Sequence, residues 1–308
     1  MFVMNGKESV MEFNIIIGNP PYNNDLYLDF VQAGYEALKP DGVMVMITPA
    51  KWQAKSGTKN EAFRQNIVPH MKEIIYWPDC LDVFAIQEAD GVCYYSIDKD
   101  KHNSVIIENK SAMKPCINSK EVRSITNRET LWNVGNNIVK KLGNYEQWHF
   151  KEIDYSNIKK FTVNVNKQMC VSTGASGCWD WDRSCIKDSW IGKGGVLFSA
   201  DGLHLIEQPK LLSSKRPDVK ASGTSKNVFT SDEPEEIKNF ISWMYSKFVR
   251  FLLLINIGTL TFLTDESWRF VPDPGAFDHP FTDRELYEKY GLTDDEIAII
   301  ESVIKERK

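Results

Sequence analysis

One tetrapeptide in this chain, Asn19-Pro20-Pro21-Tyr22, combines groups that can hold and stack a planar amine. It directly follows an apolar run, Phe13–Ile17, that reads as a β-strand. Pro20 and Pro21 fix their own φ angles and bar the residue before each from helical geometry, so the chain leaves the strand as a stiff, extended turn. In open α/β sheets the carboxyl ends of strands line the ligand crevice, which is where such a turn would lie. The side-chain oxygen of Asn19 and the backbone carbonyl of Pro20 can each accept one N–H of an exocyclic amine such as that of adenine. That amine is a poor nucleophile because its lone pair is delocalised into the ring. Two fixed acceptors favour the pyramidal nitrogen that forms as a new bond develops, so no general base is needed beforehand. Tyr22 adds an aromatic face for a base taken out of a duplex, and such stacking contributes about 1–3 kcal/mol. At ordinary composition this tetrapeptide arises by chance in roughly one chain of this length in a thousand, so its placement after a strand carries weight.

The surrounding pattern alternates short apolar runs with amphipathic stretches, as in a sheet covered by helices. A helix is predicted from about Leu26 to Lys39, with Leu26, Phe30, Ala33, Ala37 and Leu38 recurring every three or four positions, Asn24 or Asp25 as its cap and Pro40-Asp41-Gly42 as its stop. Val43–Thr48 is apolar throughout, the mark of a strand buried on both faces of a parallel sheet. A second helix is predicted over about Lys59–Val68, capped by Thr58 and closed by Pro69. Strands at Glu73–Trp77 and Val92–Ile97, joined by a loop containing Phe84, complete the unit. From about Asp98 the pattern becomes irregular, and clear periodicity returns only near Glu235. These breaks divide the chain into residues 1–100, 101–280 and 281–308. Glu235–Arg250 reads as a helix, and Phe248–Leu263 as a buried helix leading into a strand. Thr282-Asp-Arg-Glu285 and Thr293-Asp-Asp-Glu296 match the capping box and predict two short closing helices.

Composition narrows the function classes. With 308 residues the chain is long enough for two domains. Its 42% hydrophobic and 26% charged residues are those of a globular protein, no apolar run would cross a bilayer, and no basic-then-apolar start marks a secretory signal. A cytoplasmic protein without a membrane partner is expected. The six cysteines, Cys80, Cys93, Cys116, Cys170, Cys178 and Cys185, form no C-x-x-C pair, which argues against a zinc ribbon or a disulfide framework and for reduced thiols. A net charge of −5 excludes coating of nucleic acid by bulk charge. Any DNA contact must be local, as in the stretch with Lys210, Lys215, Arg216, Lys220 and Lys226 against Asp218, which reads equally as a solvated basic loop.

The tetrapeptide resembles the catalytic motif of the amino-methyltransferase family, specifically the adenine-N6 DNA methyltransferases of restriction-modification systems. Leu26–Phe30 and Lys39–Trp52 are similar to the helix and strand that follow that motif. Asp82-Val83-Phe84 with Gly91–Tyr95 resembles the later motif whose aromatic covers the second face of the flipped base, here Phe84, with a core phenylalanine as the competing reading. Ser267–Pro272 and Phe281–Tyr287 resemble the closing segments of such enzymes. The resemblance implies an α/β fold, a partial Rossmann-like methyltransferase sheet (the catalytic half) followed by an α+β target-recognition domain. It implies transfer of a methyl group from S-adenosylmethionine to a flipped adenine in double-stranded DNA. Asn19, Pro20, Pro21, Tyr22 and Phe84 would act on the base. Gly18, Asn19 and Phe30 would border the donor, although a helix-core role for Phe30 competes. In the middle region Trp179, Trp181 and Trp190 with Arg183, Lys193, Lys215, Arg216 and Lys220 could contact bases or phosphate, or the aromatics could form a packed core. No metal is implied.

Relatives with this motif order carry, before the catalytic turn, a Gly-rich strand-to-helix loop and an acidic residue that grips the donor's ribose. Only eighteen residues precede Asn19, and Gly174–Gly177 and Gly192–Gly195 lack the flanking strand and helix of such a loop. The expectation is that a second polypeptide supplies the donor-binding half and that Phe13–Ile17 is an unpaired apolar edge. Two other functions fit the same turn: a protein-glutamine methyltransferase, since a glutamine amide presents the same pair of N–H groups, and a DNA-specificity module without chemistry. A metal-dependent nuclease built on Pro217-Asp218 and Glu236-Ile237-Lys238 is disfavoured because the second segment reads as helix.

Overall fold

A computed structural model describes residues 3–4, 7–8, 11–85, 91–125, 128–149, 161–166, 203–207, 225–231, 233–256 and 268–304. They fall into two compact units, the first taking in Met1–Ala85 and Asp90–Asn133 and the second chiefly Val134–Lys308. In the first unit six strands form one mixed sheet: β1 (Phe13–Gly18), β2 (Leu38–Pro49), β3 (Met71–Trp77), β4 (Val92–Ile97), β5 (Val105–Asn109) and β6 (Ser119–Arg123). Their order is β1-β2-β4-β3-β5-β6. β1 runs parallel to β2 and β3 to β5, while β4 lies antiparallel to both β2 and β3. The chain is thus mixed α/β, and the all-parallel surroundings expected for Val43–Thr48 are replaced by one parallel and one antiparallel neighbour. The cause lies between Trp77 and Val92. The described part of that connection holds only a single turn of 3-10 helix at Cys80–Asp82, too little to carry the chain back across the sheet, so β4 returns antiparallel.

β2 begins earlier than its apolar run because the pairing continues through Pro40-Asp41-Gly42. The ladder matches Phe13 with Leu38 and then jumps to Ile15 with Val43, so the segment that breaks the helix forms an irregularity in the strand. Helix α1 (Leu26–Glu36) buries Tyr27, Leu28 and Val31, worth about 2 kcal/mol each in removal from water. It packs closely on the sheet because Gly34 has no side chain: a Cβ there would sit 2.8 Å from the Met44 sulfur and 3.8 Å from Ile16. Helix α2 (Thr58–Asn66) places Phe63 against Trp52 at 5.4 Å between ring centroids and against Tyr95 at 6.4 Å. Its cap position is Gly57 instead of the expected Thr58, which is already the first helical residue.

The sheet also runs past residue 100, where the sequence pattern turns irregular. β6 reads Ser-Lys-Glu-Val-Arg, a short polar strand suited to a sheet edge. The segment after it is strapped down by polar groups: Asn109 donates from Nδ2 to the carbonyl of Leu131 (2.8 Å), and Asn133 donates from its backbone N–H to Asn109 Oδ1 (2.7 Å) and from Nδ2 to the carbonyl of Ile107 (3.1 Å). The first compact unit takes in residues as far as Asn133.

In the second unit α3 (Asn133–Leu142), begun at the last residue of the first, is followed by a three-stranded antiparallel sheet in which β7 (Phe161–Asn166) lies between β8 (Leu203–Glu207) and β9 (Ser225–Ser231). The stretch Glu235–Arg250 forms two helices, α4 (Pro234–Tyr245) and α5 (Lys247–Leu254), divided at Ser246. Ser246 has extended backbone angles, and its hydroxyl donates to the Trp243 carbonyl while accepting from the N–H of Val249, so one residue ends the first helix and caps the second. Trp148, Phe240, Trp243, Trp268 and Phe277 form an aromatic core, with Trp148 and Trp268 5.0 Å apart between centroids. The two closing helices are present as α6 (Asp283–Lys289) and α7 (Asp294–Val303). Thr293 and Glu296 complete a capping box, whereas Thr282 makes only the half in which its side chain accepts from Glu285 N–H. Among the described residues no helix is long and apolar enough to cross a membrane. The expected strand before Leu263 lies outside the described residues.

Gly91, buried and at φ +67°, marks the entry to β4, and its carbonyl accepts from the N–H of Ala50 at 3.1 Å. A Cβ there would lie 2.1 Å from the Trp77 carbonyl oxygen and 2.6 Å from that of Pro78, so both the conformation and the space demand glycine. Gly91→Ala is expected to destabilise the sheet-bearing unit by about 2–4 kcal/mol, lowering its melting transition by roughly 5–15 °C in calorimetry. An unchanged transition would show that the backbone relaxes freely at this point.

Candidate active site

The Asn19–Tyr22 turn leaves β1 at the carboxyl end of the sheet, as the proline pair requires. Asn19 is exposed and Pro20 is buried. Gly18, Asn19, Pro20 and Pro21 line a groove of about 640 Å³ with Phe13, Ile15, Ile16 and Ile17 of β1, Phe30, Ala33 and Gly34 of α1, and Ala37 just after it. Sequence-predicted Gly18, Asn19, Pro20, Pro21 and Phe30 are therefore brought to one cavity. Phe30 is 50% exposed, so it is not a helix-core side chain. Tyr22 and Phe84 are half-buried and are not among the groove's lining residues. Phe84 sits at the end of the turn after β3, where its N–H donates to the Cys80 carbonyl at 2.8 Å.

The groove wall is apolar, and among the described residues β1 has a neighbour on one side only. Ile15 is 69% and Ile17 78% exposed, an uncovered apolar edge of the kind expected from the sequence. Such a wall can face a purine ring. None of the lining residues is acidic, so a diol such as the ribose of a nucleoside would have to find its carboxylate elsewhere.

Behind Tyr22 the structure is buried and polar. Thr48, fully buried on β2, donates to the Tyr95 hydroxyl at 3.4 Å and lies 3.8 Å from the Cys93 sulfur. Burial pushes the Tyr95 hydroxyl far above its ordinary range, and Cys93 and Tyr22 add to the push. Burial likewise raises the Cys93 thiol to about 12, against hydrogen bonds with Trp52 and Thr48. Both groups stay protonated across the physiological range, so neither is a base or a nucleophile here. Of the other cysteines, Cys80 is buried and Cys116 exposed. The remaining three lie outside the described residues.

The residues after Tyr22 adopt an arrangement the sequence did not announce. Asn24 and Asp25 have φ of 53° and 59°, two consecutive left-handed residues that are not glycine. Asn and Asp tolerate this region better than other residues, yet each costs on the order of 1 kcal/mol. Asp25 holds the N-cap position of α1, but neither it nor Asn24 caps with a side chain; the Asp25 carboxylate instead forms an ion pair with Lys55. One turn further on, Asp29 and Lys59 pair at 2.7 Å. Arg64, 8% exposed, donates to the carbonyls of Trp52 and Lys55, and Arg128 donates through Nε and Nη2 to that of Ala54. Burial and the neighbouring Arg128 lower the Arg64 pKa. These partners lie about 10 to 75 positions apart in sequence, beyond any local pattern.

No cluster of three or more metal-binding side chains is present among the described residues. Arg183, Lys193, Lys215, Arg216 and Lys220, with Trp179, Trp181 and Trp190, lie outside the described residues, as do the two glycine pairs of the middle region.

Comparison with known proteins adds the following. The family model described as Eco57I restriction-modification methylase matches residues 22–84, about a fifth of the chain, from the last residue of the turn to Phe84. No curated protein matches. Solved structures with similarity include the methyltransferase subunit of a type I restriction-modification system from Streptococcus thermophilus, at 18% identity over 34% of this chain and 27% of that one, with a TM-score of 0.26. The M protein of the type I restriction enzyme EcoKI is 19% identical over 32% of this chain and 25% of its own, with a TM-score of 0.27. The type IIG restriction endonuclease BpuSI is 9% identical over 90% of this chain and 44% of its own, at 0.33. The chain thus spans about a quarter of the first two structures and under half of the third, and at these TM-scores the overlap has no bearing on function. What stands is a likeness in sequence: the segment from Tyr22 to Phe84 is similar to restriction-modification methylases.

Proposed function

We propose that this protein is a DNA methyltransferase of a restriction-modification system that methylates the N6 amine of adenine. The observation that carries the reading is the turn at the carboxyl end of β1, where Asn19 is exposed and Asn19, Pro20 and Pro21 line a 640 Å³ groove, with the methylase-like segment starting at Tyr22. Asn19 Oδ1 and the Pro20 carbonyl accept the two N–H groups of the flipped base and stabilise the charge that develops on nitrogen. Tyr22 and Phe84 stack on the two faces of the base, which offsets part of its unpairing. S-adenosylmethionine supplies the electrophilic methyl group when bound. Gly18, Asn19 and Phe30 border it along the apolar wall, while the ribose carboxylate comes from outside the groove's lining.

The same reading gives the exposed edge of β1 a use. A second polypeptide carrying the donor-binding half of a Rossmann-like sheet pairs with β1 and covers Ile15 and Ile17. Sequence readout of double-stranded DNA falls to the region after the six-stranded sheet, including Arg183, Lys193, Lys215, Arg216 and Lys220.

Methyl transfer is measured with tritiated S-adenosylmethionine and unmethylated genomic DNA, using the full chain purified with any polypeptide that accompanies it, and the product is hydrolysed to nucleosides. N6-methyladenine is expected. Asn19→Ala should reduce the rate at least about 100-fold and Phe84→Ala about 10- to 100-fold, with DNA binding changed by less than about threefold. Label in protein instead of DNA would favour a protein-glutamine methyltransferase, and DNA binding without transfer a specificity module.

Calorimetric titration provides the second test. The chain alone should bind S-adenosylmethionine with a Kd of about 100 µM or weaker, since the apolar wall recognises only part of it. Submicromolar binding by the lone chain would remove the need for a second polypeptide.

A further inference from the structure

We infer that Lys55 is a positioning residue that holds the Asn19–Tyr22 turn in its open geometry through Asp25. This rests on the methyltransferase reading above for its catalytic meaning, but the contact chain itself is independent of it. Asn24 and Asp25, two and three residues after Tyr22, stand in left-handed backbone conformations, and such a pair persists only where the surroundings over-determine it. The surroundings are specific. The Asp25 carboxylate, 15% exposed, is paired with the Lys55 ammonium, and Asp25 has no side-chain bond to the helix it precedes. Lys55 in turn sits on a segment, Trp52–Lys55, whose carbonyls are fixed by two guanidinium groups: Arg64 on those of Trp52 and Lys55, and Arg128 on that of Ala54. The Gln53 side chain accepts from the N–H of Leu131, tying the same segment to the strap before Asn133. The backbone that carries Lys55 is therefore fixed to the core, and the carboxylate that meets its ammonium belongs to the residue that turns the chain from the Asn19–Tyr22 turn into α1.

The neighbouring pair, Lys59 with Asp29, is a natural control. It joins α1 to α2, one turn away, but is more than half exposed on both sides and touches no residue of left-handed backbone.

The test uses hydrogen exchange followed by mass spectrometry on the full chain, with Lys55→Ala, Lys55→Met, Lys55→Arg and Lys59→Ala. Lys55→Ala and Lys55→Met should speed exchange of the amides of residues 18–26 at least about tenfold while β3 and β4 keep their protection. Lys55→Arg should restore most of it, and Lys59→Ala should leave the turn unchanged. Equal exchange in Lys55→Ala and the parent overturns the inference, as does an equal effect of Lys59→Ala.

In the methyl-transfer assay Lys55→Ala should lower kcat about 10- to 100-fold with little change in the KM for DNA, again rescued by Lys55→Arg. Unchanged kcat, in an enzyme that Asn19→Ala inactivates, overturns the positioning role and leaves the methyltransferase reading intact. If Asn19→Ala leaves transfer undiminished, the methyltransferase reading fails and the exchange result alone decides whether Lys55 braces the turn.

Discussion

Two prolines in succession after an edge strand set the terms for the first unit. Because Pro20 and Pro21 remove two backbone donors and two degrees of freedom, the carbonyl and side-chain oxygens around Asn19 cannot retreat into a ladder or a helix, and they remain presented at the sheet's end. The rest of the unit accommodates that constraint. Gly34 lets α1 sit close enough to the sheet to form the other wall of the groove. Asn24 and Asp25 take up the sharp change of direction that a chain leaving a rigid turn must make before a helix can begin.

The turn is held from the outside by charge and from the inside by packing. On the outer side, Lys55 meets Asp25 from a segment whose own carbonyls are occupied by buried guanidinium groups. On the inner side, Thr48, Cys93 and Tyr95 form a protonated, buried layer that offers hydrogen bonds without offering a competing charge.

Much of this was legible in the residues. The elements with strong periodicity, α1, α2, β1, β3 and β4, appear within about three positions of their predicted limits, β2 starts five positions earlier than its apolar run, and the Thr293 capping box is present in full. The groove residues Asn19 and Phe30 could be brought together because a strand, a tight turn and a helix in sequence leave few arrangements. What escaped had a physical reason in each case. β6 is polar because it is an edge, so it lacks the apolar signal of a strand. Ser246 splits a continuous apolar periodicity with a backbone angle that no periodicity encodes. Asp25 reads as a helix cap from its neighbours alone, and its partner lies 30 positions away. The six-stranded sheet extends to Arg123 through Asn109 and Asn133, whose role as straps depends on carbonyls that only the fold supplies.

The placement of β4 has a consequence for how the chain reaches this structure. β2 and β3 do not touch through a ladder; each pairs with β4, which is made later than either. A nascent chain that has emerged only as far as Trp77 holds the β1–β2 pair and a lone β3 with no common partner, and they join when Val92–Ile97 threads between them. The order of synthesis therefore postpones the joining of β2 to β3 until β4, made after both, is inserted between them, and until then their facing edges are unpaired.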